Sequence, residues 1–301
     1  MFGSGVAGYT YLYTTDEGTR RSAEFWKTSG PIYLHYRFVQ FLNRDLKVLS
    51  DDIADPYYEQ LHTQFAPVSR DLTYKMRGFY LKNAQLLSTQ EGFMPEAYLK
   101  WMKDTQDNVP SEFEGSGAQE YCAMRMKEEM NMEFDEVFEW WDDEPLGVAS
   151  IGEVHRARLR GGQEVAVKLQ FPDMERRFRA DIKTIKGFCA LAMPHFTSTF
   201  DEVEKQFATE FDYAGEARNL TEIRDQVMPE YGNMVEIPRA HHHLCSRHVL
   251  VMDFLRGKKL VDGVRAHYAQ VAGLLGTTVE ELERQQAAEV QEVLAAAQEW
   301  A

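Results

Sequence analysis

Residues 145–170 of the 301-residue chain read PLGVASIGEVHRARLRGGQEVAVKLQ. Two glycines, Gly147 and Gly152, bracket four small or apolar residues, and two runs of strand-forming residues then flank a Gly-Gly turn at 160–163. Paired runs around such a turn predict a β-hairpin, and the small residues ahead of them predict a loop that passes close over a ligand. The alternative interpretation is an ordinary antiparallel hairpin with an exposed lysine.

Lys168 lies near the end of the second strand of this predicted hairpin. Because side chains alternate along a strand, Val165 and Val167 share one face, and Ala166 and Lys168 share the other. The ammonium of Lys168 would then lie beneath the loop, where a phosphate group would be held. A glycine-containing loop followed by a Val-Ala-Val-Lys strand is typical of the way protein kinases hold ATP, with backbone amides over the phosphates and one lysine on them.

The overall composition is that of a globular protein, with 44% hydrophobic and 27% charged residues, and the length suffices for one large domain or two smaller ones. The formal net charge of −15 argues against a nucleic-acid partner and against simple electrostatic binding to anionic lipid. Residues 111–144 hold twelve acidic side chains against two basic ones, whereas residues 153–186 are rich in arginine and lysine. A basic segment in an acidic chain is compatible with a small ligand that carries phosphate.

The three cysteines, Cys122, Cys189 and Cys245, are isolated from one another with no Cys-x-x-Cys pair, and the adjacent imidazoles of His241, His242 and His243 cannot all face one metal. We therefore predict reduced, structural thiols and no metal site. No stretch reaches the roughly 18 apolar residues that a membrane span requires. Met1–Thr15 has neither the basic start nor the cleavage signature of a targeting signal, so none is visible.

The segment before the hairpin is predicted to be mostly helical, with stops at prolines. The predicted elements are a helix ending at a Gly30-Pro31 break, Ile32–Leu46, a segment from about 55 to a stop near Pro67, Asp71–Thr89, and an acidic helix near 119–139. Lys82 and Gln85 lie three residues apart within Asp71–Thr89, so they share a helix face.

The segment after the hairpin is predicted to mix helices and strands. The predicted elements are the helices Met174–Met193 and Asp201–Gln226, the strands Val235–Pro238 and His248–Phe254, and helices from Leu260 to Ala301. On an uninterrupted helix, Asp212 and Glu216 are four residues apart and share a face, whereas Glu210 lies more than half a turn round from Glu216. Thr278 and Glu281 form a capping-box pattern at the start of the last helix.

Several short motifs occur in order along the chain. They are KNAQ at 82–85, GVASIGEVHRA at 147–157, VAVKLQ at 165–170, EFDY with EARN at 210–219, and RHVLVMD at 247–253. Together they resemble the UbiB/ADCK (aarF-type) atypical kinases over roughly residues 16–280.

The resemblance implies an α+β fold. A protein-kinase-like N-lobe, with a small antiparallel sheet plus helices, would follow an α-helical N-terminal extension and precede only the start of a helical C-lobe. The boundaries implied for these three parts are 1–140 for the extension, 141–256 for the N-lobe and 257–301 for the C-lobe segment.

The resemblance also implies roles for individual residues. Lys168 and Glu216 would form the catalytic lysine–glutamate pair on the nucleotide phosphates. The other implied contacts are Gly147, Val148, Ala149, Ser150 and Gly152 in the loop over the phosphates, Met252 and Asp253 with Phe254 in the hinge beside adenine, Lys82 and Gln85 from the K-x-G-Q motif of the extension, and Glu210 and Asp212 from the E-x-D motif. The implied cofactors are ATP or ADP and Mg²⁺, with carboxylates near the metal as its contacts.

Two features depart from the family pattern. Ala84 replaces the glycine of K-x-G-Q, and Gly147 and Val148 replace two alanines of the loop; these changes concern nucleotide preference and the fit of the extension. The catalytic loop resembling H-x-D-P-H-P-G-N and the metal-binding D-F-G do not follow Asp253, after which Asp262 is the only aspartate. Phosphoryl transfer needs a residue that orients the nucleophile and a metal on the γ-phosphate, so we expect the 301 residues alone to be inactive.

Three functional hypotheses follow. In the first, the sequence is the front part of a longer ATP-dependent kinase or ATPase that supports isoprenoid-quinone or lipid metabolism. In the second, it is a non-catalytic nucleotide-binding or scaffolding module. A purely structural helical protein is the third, and it leaves the loop, lysine and glutamate unexplained.

The resemblance implies a nucleotide as ligand, lipid or quinone-pathway partners, and peripheral association with a membrane. It implies a mitochondrial or plastid location in a eukaryote and a membrane-associated one in a bacterium.

Overall fold

The structure, a computed structural model, describes residues 13–90, 92, 94–192, 204–207 and 209–298. The chain forms two compact units, Met1–Phe254 and Leu255–Ala301. The first unit contains a group of helices followed by a small antiparallel sheet with further helices, and the second is helical. This arrangement confirms the predicted α+β class.

The first unit begins with helices that precede the sheet. They are α1 (Glu17–Gln40), α2 (Asp51–Met76), α3 (Gly78–Leu87), α4 (Glu96–Asp104) and α5 (Gly117–Met130), with a π-helical turn at Phe41–Asp45. The carboxylate of Asp16 caps α1 by accepting a hydrogen bond of 2.7 Å from the amide of Thr19, which satisfies one of the free amides of the first turn.

The prolines predicted to end helices lie inside them. Helix α1 continues through Pro31, and α2 contains both Pro56 and Pro67, so the predicted break and stop are wrong. Each proline removes one backbone hydrogen bond, but packing on both sides of it retains the helix. Helix α1, for example, buries Phe25 and Val39 on either side of Pro31.

The predicted helix Asp71–Thr89 is broken at Arg77, between α2 and α3. Arg77 has φ 56° and ψ −151°, and Gly78 has φ 43°, which are angles that side chains normally prevent. The guanidinium lies 3.0 Å from the Glu112 carboxylate, donates to the Pro110 carbonyl at 2.5 Å and lies over the Phe171 ring at 5.3 Å. These tertiary contacts hold a bend that local sequence does not favour.

The sheet has five strands among the described residues, all paired antiparallel. They are β1 (Phe138–Trp141), β2 (Gly147–Val148), β3 (Gly152–Leu159), β4 (Glu164–Gln170) and β5 (Val249–Asp253), in the order β1-β3-β4-β5 with β2 also on β3. A one-turn helix, α6 (Phe134–Val137), precedes β1. The acidic helix predicted near 119–139 therefore ends early, because Asn131 adopts the left-handed conformation that terminates α5.

One face of the sheet packs against α5. Val165 and Val167 are fully buried in this core with Cys122 and Met126 of the helix. Their common face confirms the alternation predicted for the Val-Ala-Val-Lys strand.

The same core contains a buried polar pair on β3. Nε2 of His155 lies 2.7 Å from Oε1 of Glu153, and both side chains are at most 1% exposed. Ser111 donates to the other carboxylate oxygen at 2.5 Å, and Nδ1 of His155 donates to the Asp142 carbonyl at 2.8 Å. Both carboxylate oxygens of Glu153 and both ring nitrogens of His155 therefore have hydrogen-bond partners, as buried polar groups require.

Two further helices flank the sheet in the first unit, α7 (Met174–Ala192) and α8 (Tyr213–Tyr231). On α1, Arg21 binds Asp181 of α7 through two hydrogen bonds of 2.6 and 2.9 Å and also donates to the Met76 carbonyl at 2.6 Å. This nearly buried ion pair fixes α1 and the end of α2 to α7.

Two predictions in this region are wrong. Within the predicted helix Asp201–Gln226, Thr209–Phe211 is a 3₁₀ turn and Asp212 lies outside α8, so Asp212 and Glu216 do not share a helix face. The predicted strand Val235–Pro238 is irregular, with a single bridge between Ala240 and Met252 beyond it. Residues 193, 201–203 and 208 of the predicted helices lie outside the described residues.

The second unit contains α9 (Leu260–Leu275) and α10 (Val279–Gln298). Gly276 ends α9 in the left-handed conformation, and the Glu281 amide donates to the Thr278 hydroxyl at 3.3 Å. This bond agrees with the predicted cap. Within the described residues, every helix is too short or too polar to cross a membrane.

Candidate functional site

Lys168 and Glu216 meet at the open side of the sheet. The Lys168 ammonium lies 2.8 Å from both carboxylate oxygens of Glu216, which stands in the first turn of α8. The two side chains are 25% and 43% exposed. The pair is thus fixed by two hydrogen bonds and still accessible to a ligand.

Tyr213 supports the lysine from the side opposite the solvent. Its ring centre lies 4.6 Å from the Lys168 ammonium, a cation–π contact, and the residue is fully buried. Burial, with added repulsion from Glu216 and Glu210, raises the pKa of Tyr213, so its hydroxyl stays protonated. That hydroxyl has no hydrogen-bond partner among the described residues. Sequence reasoning missed Tyr213, although it lies three residues before Glu216 on the same helix.

The loop at 147–152 is a tight hairpin between β2 and β3. Gly147 and Val148 pair with β3, and the Ala149 amide donates to the Gly152 carbonyl at 2.7 Å. Ser150 and Ile151 therefore form the tip, and they are only 3% and 6% exposed. The Ala149 amide is already bonded within the loop, so any anion here would meet other amides.

Gly152 lies where only a glycine fits. A Cβ at this position would lie 2.2 Å from the Leu169 carbonyl oxygen and 2.7 Å from the Tyr213 hydroxyl, whereas one at Gly147 would meet nothing within 4 Å. The glycine at 152 thus allows the loop to approach β4 and Tyr213 closely.

The sheet face that carries Lys168 also carries apolar side chains. Val154 lies directly opposite Lys168 on β3, and Met252 lies opposite Ala166. Directly opposite residues share a face, so Val154 and Ala166 form an apolar surface next to the ammonium. These two residues were absent from the predicted site, although strand alternation places them there.

The structure brings Lys82 to the E-x-D segment. Its ammonium lies 3.0 Å from Glu210 and 5.6 Å from the centre of the Phe207 ring. Gln85, predicted to act with Lys82, instead donates to the Thr105 carbonyl at 2.9 Å and so joins α3 to the end of α4. Asp212 pairs with Arg218 at 3.2 Å.

Met252 and Asp253 occupy the end of β5. The Asp253 carboxylate accepts hydrogen bonds from Gln163, His241 and the Arg239 amide. The Asp253 amide donates to the Arg239 carbonyl and the Phe254 amide to that of Glu164. Both amides already donate to backbone carbonyls, so a nucleotide base bound beside the end of β5 could not accept a hydrogen bond from either of them.

The donor set fits a phosphate group better than a bare metal ion. Lys168 offers an accessible ammonium, and Tyr213 a buried hydroxyl without an acceptor, beside a loop that a Cβ at 152 would block. No cluster of three or more histidine, cysteine or acidic side chains that could hold a metal occurs in the part of the chain that the structure describes.

A cleft of about 630 Å³ lies elsewhere, between α1 and α7. Trp26 lines it, and its arginines, Arg176 and Arg177, are both paired with Glu17. Its lining includes neither the loop nor Lys168, so it is separate from the predicted site.

Comparison with known proteins identifies the family. The model of the ABC1 atypical kinase-like domain matches residues 106–289. The chain is 28% identical over 208 residues to AarF domain-containing protein kinase 1 of Gallus gallus, covering 67% of this chain and 39% of that protein. It is 26% identical over 266 residues to the uncharacterized protein sll1770 of Synechocystis sp., covering 85% and 43%.

A third relative is the probable protein kinase UbiB of Pseudomonas paraeruginosa, 29% identical over 191 residues, with 61% of this chain and 34% of that protein covered. A solved structure, the complex of Rv3197 with erythromycin from Mycobacterium tuberculosis, is 25% identical with a TM-score of 0.40, over 60% of this chain and 46% of that one. The chain spans about two fifths of the length of the curated relatives it matches. The relatives include animal and bacterial proteins, and the family match confirms the predicted aarF-type kinship: the chain belongs to the ABC1 atypical kinase-like domain family.

Proposed function

We propose that this chain binds ATP or ADP and forms the nucleotide-binding portion of a UbiB-type atypical kinase or ATPase. The observation that carries the proposal is the contact of Lys168 with both carboxylate oxygens of Glu216, next to the tight loop at 147–152. A kinase-type lysine–glutamate pair of this kind holds an ammonium over nucleotide phosphates.

The chemistry of the pair supports a phosphate ligand. An ammonium has three donors, and Glu216 accepts from two directions, which leaves capacity for a phosphate oxygen. Tyr213 fixes the position of the ammonium from below. A phosphate group bound here would exchange solvent contacts of Lys168 for charge-assisted hydrogen bonds.

The apolar surface supports a base as the other end of the ligand. Val154 and Ala166 lie on the Lys168 face of the sheet, and Met252 lies across from Ala166. A flat, largely apolar ring packs well against such a surface, and the phosphates would then lie toward Lys168. Met252 and the Asp253 carbonyl would be the nearest groups at the strand end.

Lys82 and Glu210 would act from the extension. Their ion pair joins α3 to the E-x-D segment, and we propose that it limits access to the nucleotide. Mg²⁺, when bound with a nucleotide, would neutralise phosphate charge; Glu210 and Asp212 are the carboxylates of this region that could contact it or its water.

A role in isoprenoid-quinone or lipid metabolism, and peripheral membrane association, rest on the family resemblance alone. Catalytic turnover is likewise a proposal for a longer protein, since the H-x-D-P-H-P-G-N and D-F-G patterns are absent from the 301 residues. A non-catalytic nucleotide-binding or scaffolding module is the second candidate. Measurable ATP hydrolysis by the 301-residue chain would exclude it.

Calorimetric titration with ADP and ATP, with and without Mg²⁺, tests nucleotide binding. Replacing Lys168 with methionine removes a charged hydrogen bond worth about 1.5–3 kcal/mol, so affinity should fall about 10- to 100-fold. Lys183→Met is the matched control, because Lys183 is an exposed lysine on α7. Equal affinity of the Lys168 and Lys183 variants would show that Lys168 is not a phosphate ligand.

A further inference from the structure

The tip of the loop at 147–152 is anchored by an apolar side chain. Ile151 is 6% exposed and belongs to a buried apolar cluster, named here the Phe178 cluster. Its buried members are Phe79, Ile151, Phe171, Met174, Phe178, Ile182, Phe207 and Phe211. Glycine-rich loops of kinases commonly act as mobile covers, whereas this loop has its tip in a hydrophobic core.

The loop is also held by its backbone. The Phe171 amide donates to the Ile151 carbonyl at 2.9 Å, and the Ala149 amide donates to the Gly152 carbonyl at 2.7 Å. Opening the loop would break the first of these bonds and move the Ile151 side chain from the core into water. Exposing a buried isoleucine is costly, so the side chain favours the closed position.

The Phe178 cluster joins the loop to the other predicted site segments. The Phe178 ring lies 5.3 Å from Phe79, which stands three residues before Lys82 on α3. It lies 5.1 Å from Phe211, which stands between Glu210 and Asp212. These apolar contacts therefore connect the same two segments, α3 and the E-x-D segment, that the Lys82–Glu210 ion pair connects.

We propose that Ile151 is a positioning residue that pins the tip of the nucleotide loop to the Phe178 cluster and thereby ties the loop to α3. The effect on nucleotide binding rests on the proposed function, whereas the pin itself does not. Loop opening and displacement of α3 become one event, because the packed aromatic side chains of the cluster hold both. Nucleotide exchange would then require the extension to move.

Amide hydrogen exchange tests the pin without nucleotide. Ile151→Ala is compared with Ile182→Ala, which removes the same atoms from the same cluster but from α7, where Ile182 is 1% exposed. We expect exchange at the amides of Ala149 and Phe171 to rise about tenfold or more in Ile151→Ala and by clearly less in Ile182→Ala, which leaves the loop side chain in the cluster. Equal exchange at these amides in the two variants would show that Ile151 does not anchor the loop to the cluster. Ile151→Val, a smaller deletion, should give a smaller rise if the alanine variant does not fold.

The link to α3 is tested with two phenylalanines. Phe79 is 2% exposed in the Phe178 cluster, and Phe25 of α1 is 5% exposed in a separate cluster with Leu72 and Met76 of α2 and Tyr80 of α3. Phe79→Leu should speed exchange in the loop, and Phe25→Leu should not. Similar loop exchange in both variants would exclude the link between the loop and α3.

Titration of the same isoleucine variants with ADP tests the consequence for the ligand. Ile151→Ala should bind ADP about tenfold more weakly than Ile182→Ala, which corresponds to about 1.4 kcal/mol. Faster loop exchange with equal ADP affinity would refute the positioning role. If the unmodified chain does not bind ADP, the proposed function fails, and the exchange comparison still decides whether Ile151 pins the loop.

Discussion

Gly152→Ala is the substitution whose effect the structure defines most sharply. The added Cβ would lie 2.2 Å from the Leu169 carbonyl oxygen, a backbone atom fixed by strand pairing on both sides of β4. A normal carbon–oxygen contact is about 1 Å longer, so β3 and β4 must separate at the loop. Overpacking of this kind lowers the free energy of unfolding by about 1–3 kcal/mol, and a clash with backbone lies at the upper end of that range. We therefore expect Gly152→Ala to lower the free energy of unfolding by about 3 kcal/mol.

Gly147→Ala is the internal control, since a Cβ there meets nothing within 4 Å and Gly147 has no positive φ. Its free energy of unfolding should stay unchanged or rise by up to about 1 kcal/mol, because alanine restricts the unfolded chain. Urea denaturation followed by tryptophan fluorescence measures both variants. The added Tyr213→Phe change should not rescue Gly152→Ala, because the Leu169 carbonyl remains. A loss below about 1 kcal/mol in Gly152→Ala would refute the close approach at this glycine.

Two further predictions concern buried groups. Burial raises the pKa of Asp181 to about 6, despite its bond to Arg21. Because the folded state then holds this proton more tightly than the unfolded chain, the carboxyl adds to the free energy of unfolding below pH about 4. That contribution, about 3 kcal/mol, is lost as the pH rises through about 6. Asp181→Asn should remove this fall in the free energy of unfolding between pH 4 and 7, measured by denaturation at each pH, whereas Asp143→Asn at an exposed site should retain it. The same pH dependence in the unmodified chain and in Asp181→Asn would contradict the raised pKa of Asp181. Tyr213→Phe removes a hydroxyl without a partner and should cost less than about 0.5 kcal/mol in the same assay, whereas Tyr213→Leu removes the ring under Lys168 and should cost about 2 kcal/mol; a similar loss in both would show that the hydroxyl is bonded.

The parts of the site that follow local rules were predictable from the sequence. Strand alternation placed Lys168 on the face opposite Val165 and Val167, and the Gly-Gly turn placed β3 against β4. The same rule, applied to Val154 and Ala166, would have found the apolar surface. These features need only the period of a strand and the geometry of a hairpin.

The remaining features depend on distant parts of the chain. Arg77 adopts a backbone conformation that its own neighbours disfavour, and Glu112 and Phe171 hold it there. A helical pattern in sequence cannot reveal that interruption. Asp212 carried a local signal, since an aspartate before a helical run is a common first residue outside a helix; giving that signal weight would have separated Glu210 from the helix of Glu216.

The buried pair on β3 has a consequence for strand register. Glu153 and His155 find hydrogen-bond partners in Ser111 and Asp142, which lie on separate connecting segments. If β3 slipped by one residue, both polar side chains would leave these partners, and the cationic Arg156 would turn toward an apolar core. Apolar residues alone tolerate such slips more readily. The polar pair therefore fixes the alignment of β3 in the one register in which Gly152 pairs with Gln170 and lies close to the Leu169 carbonyl and the Tyr213 hydroxyl.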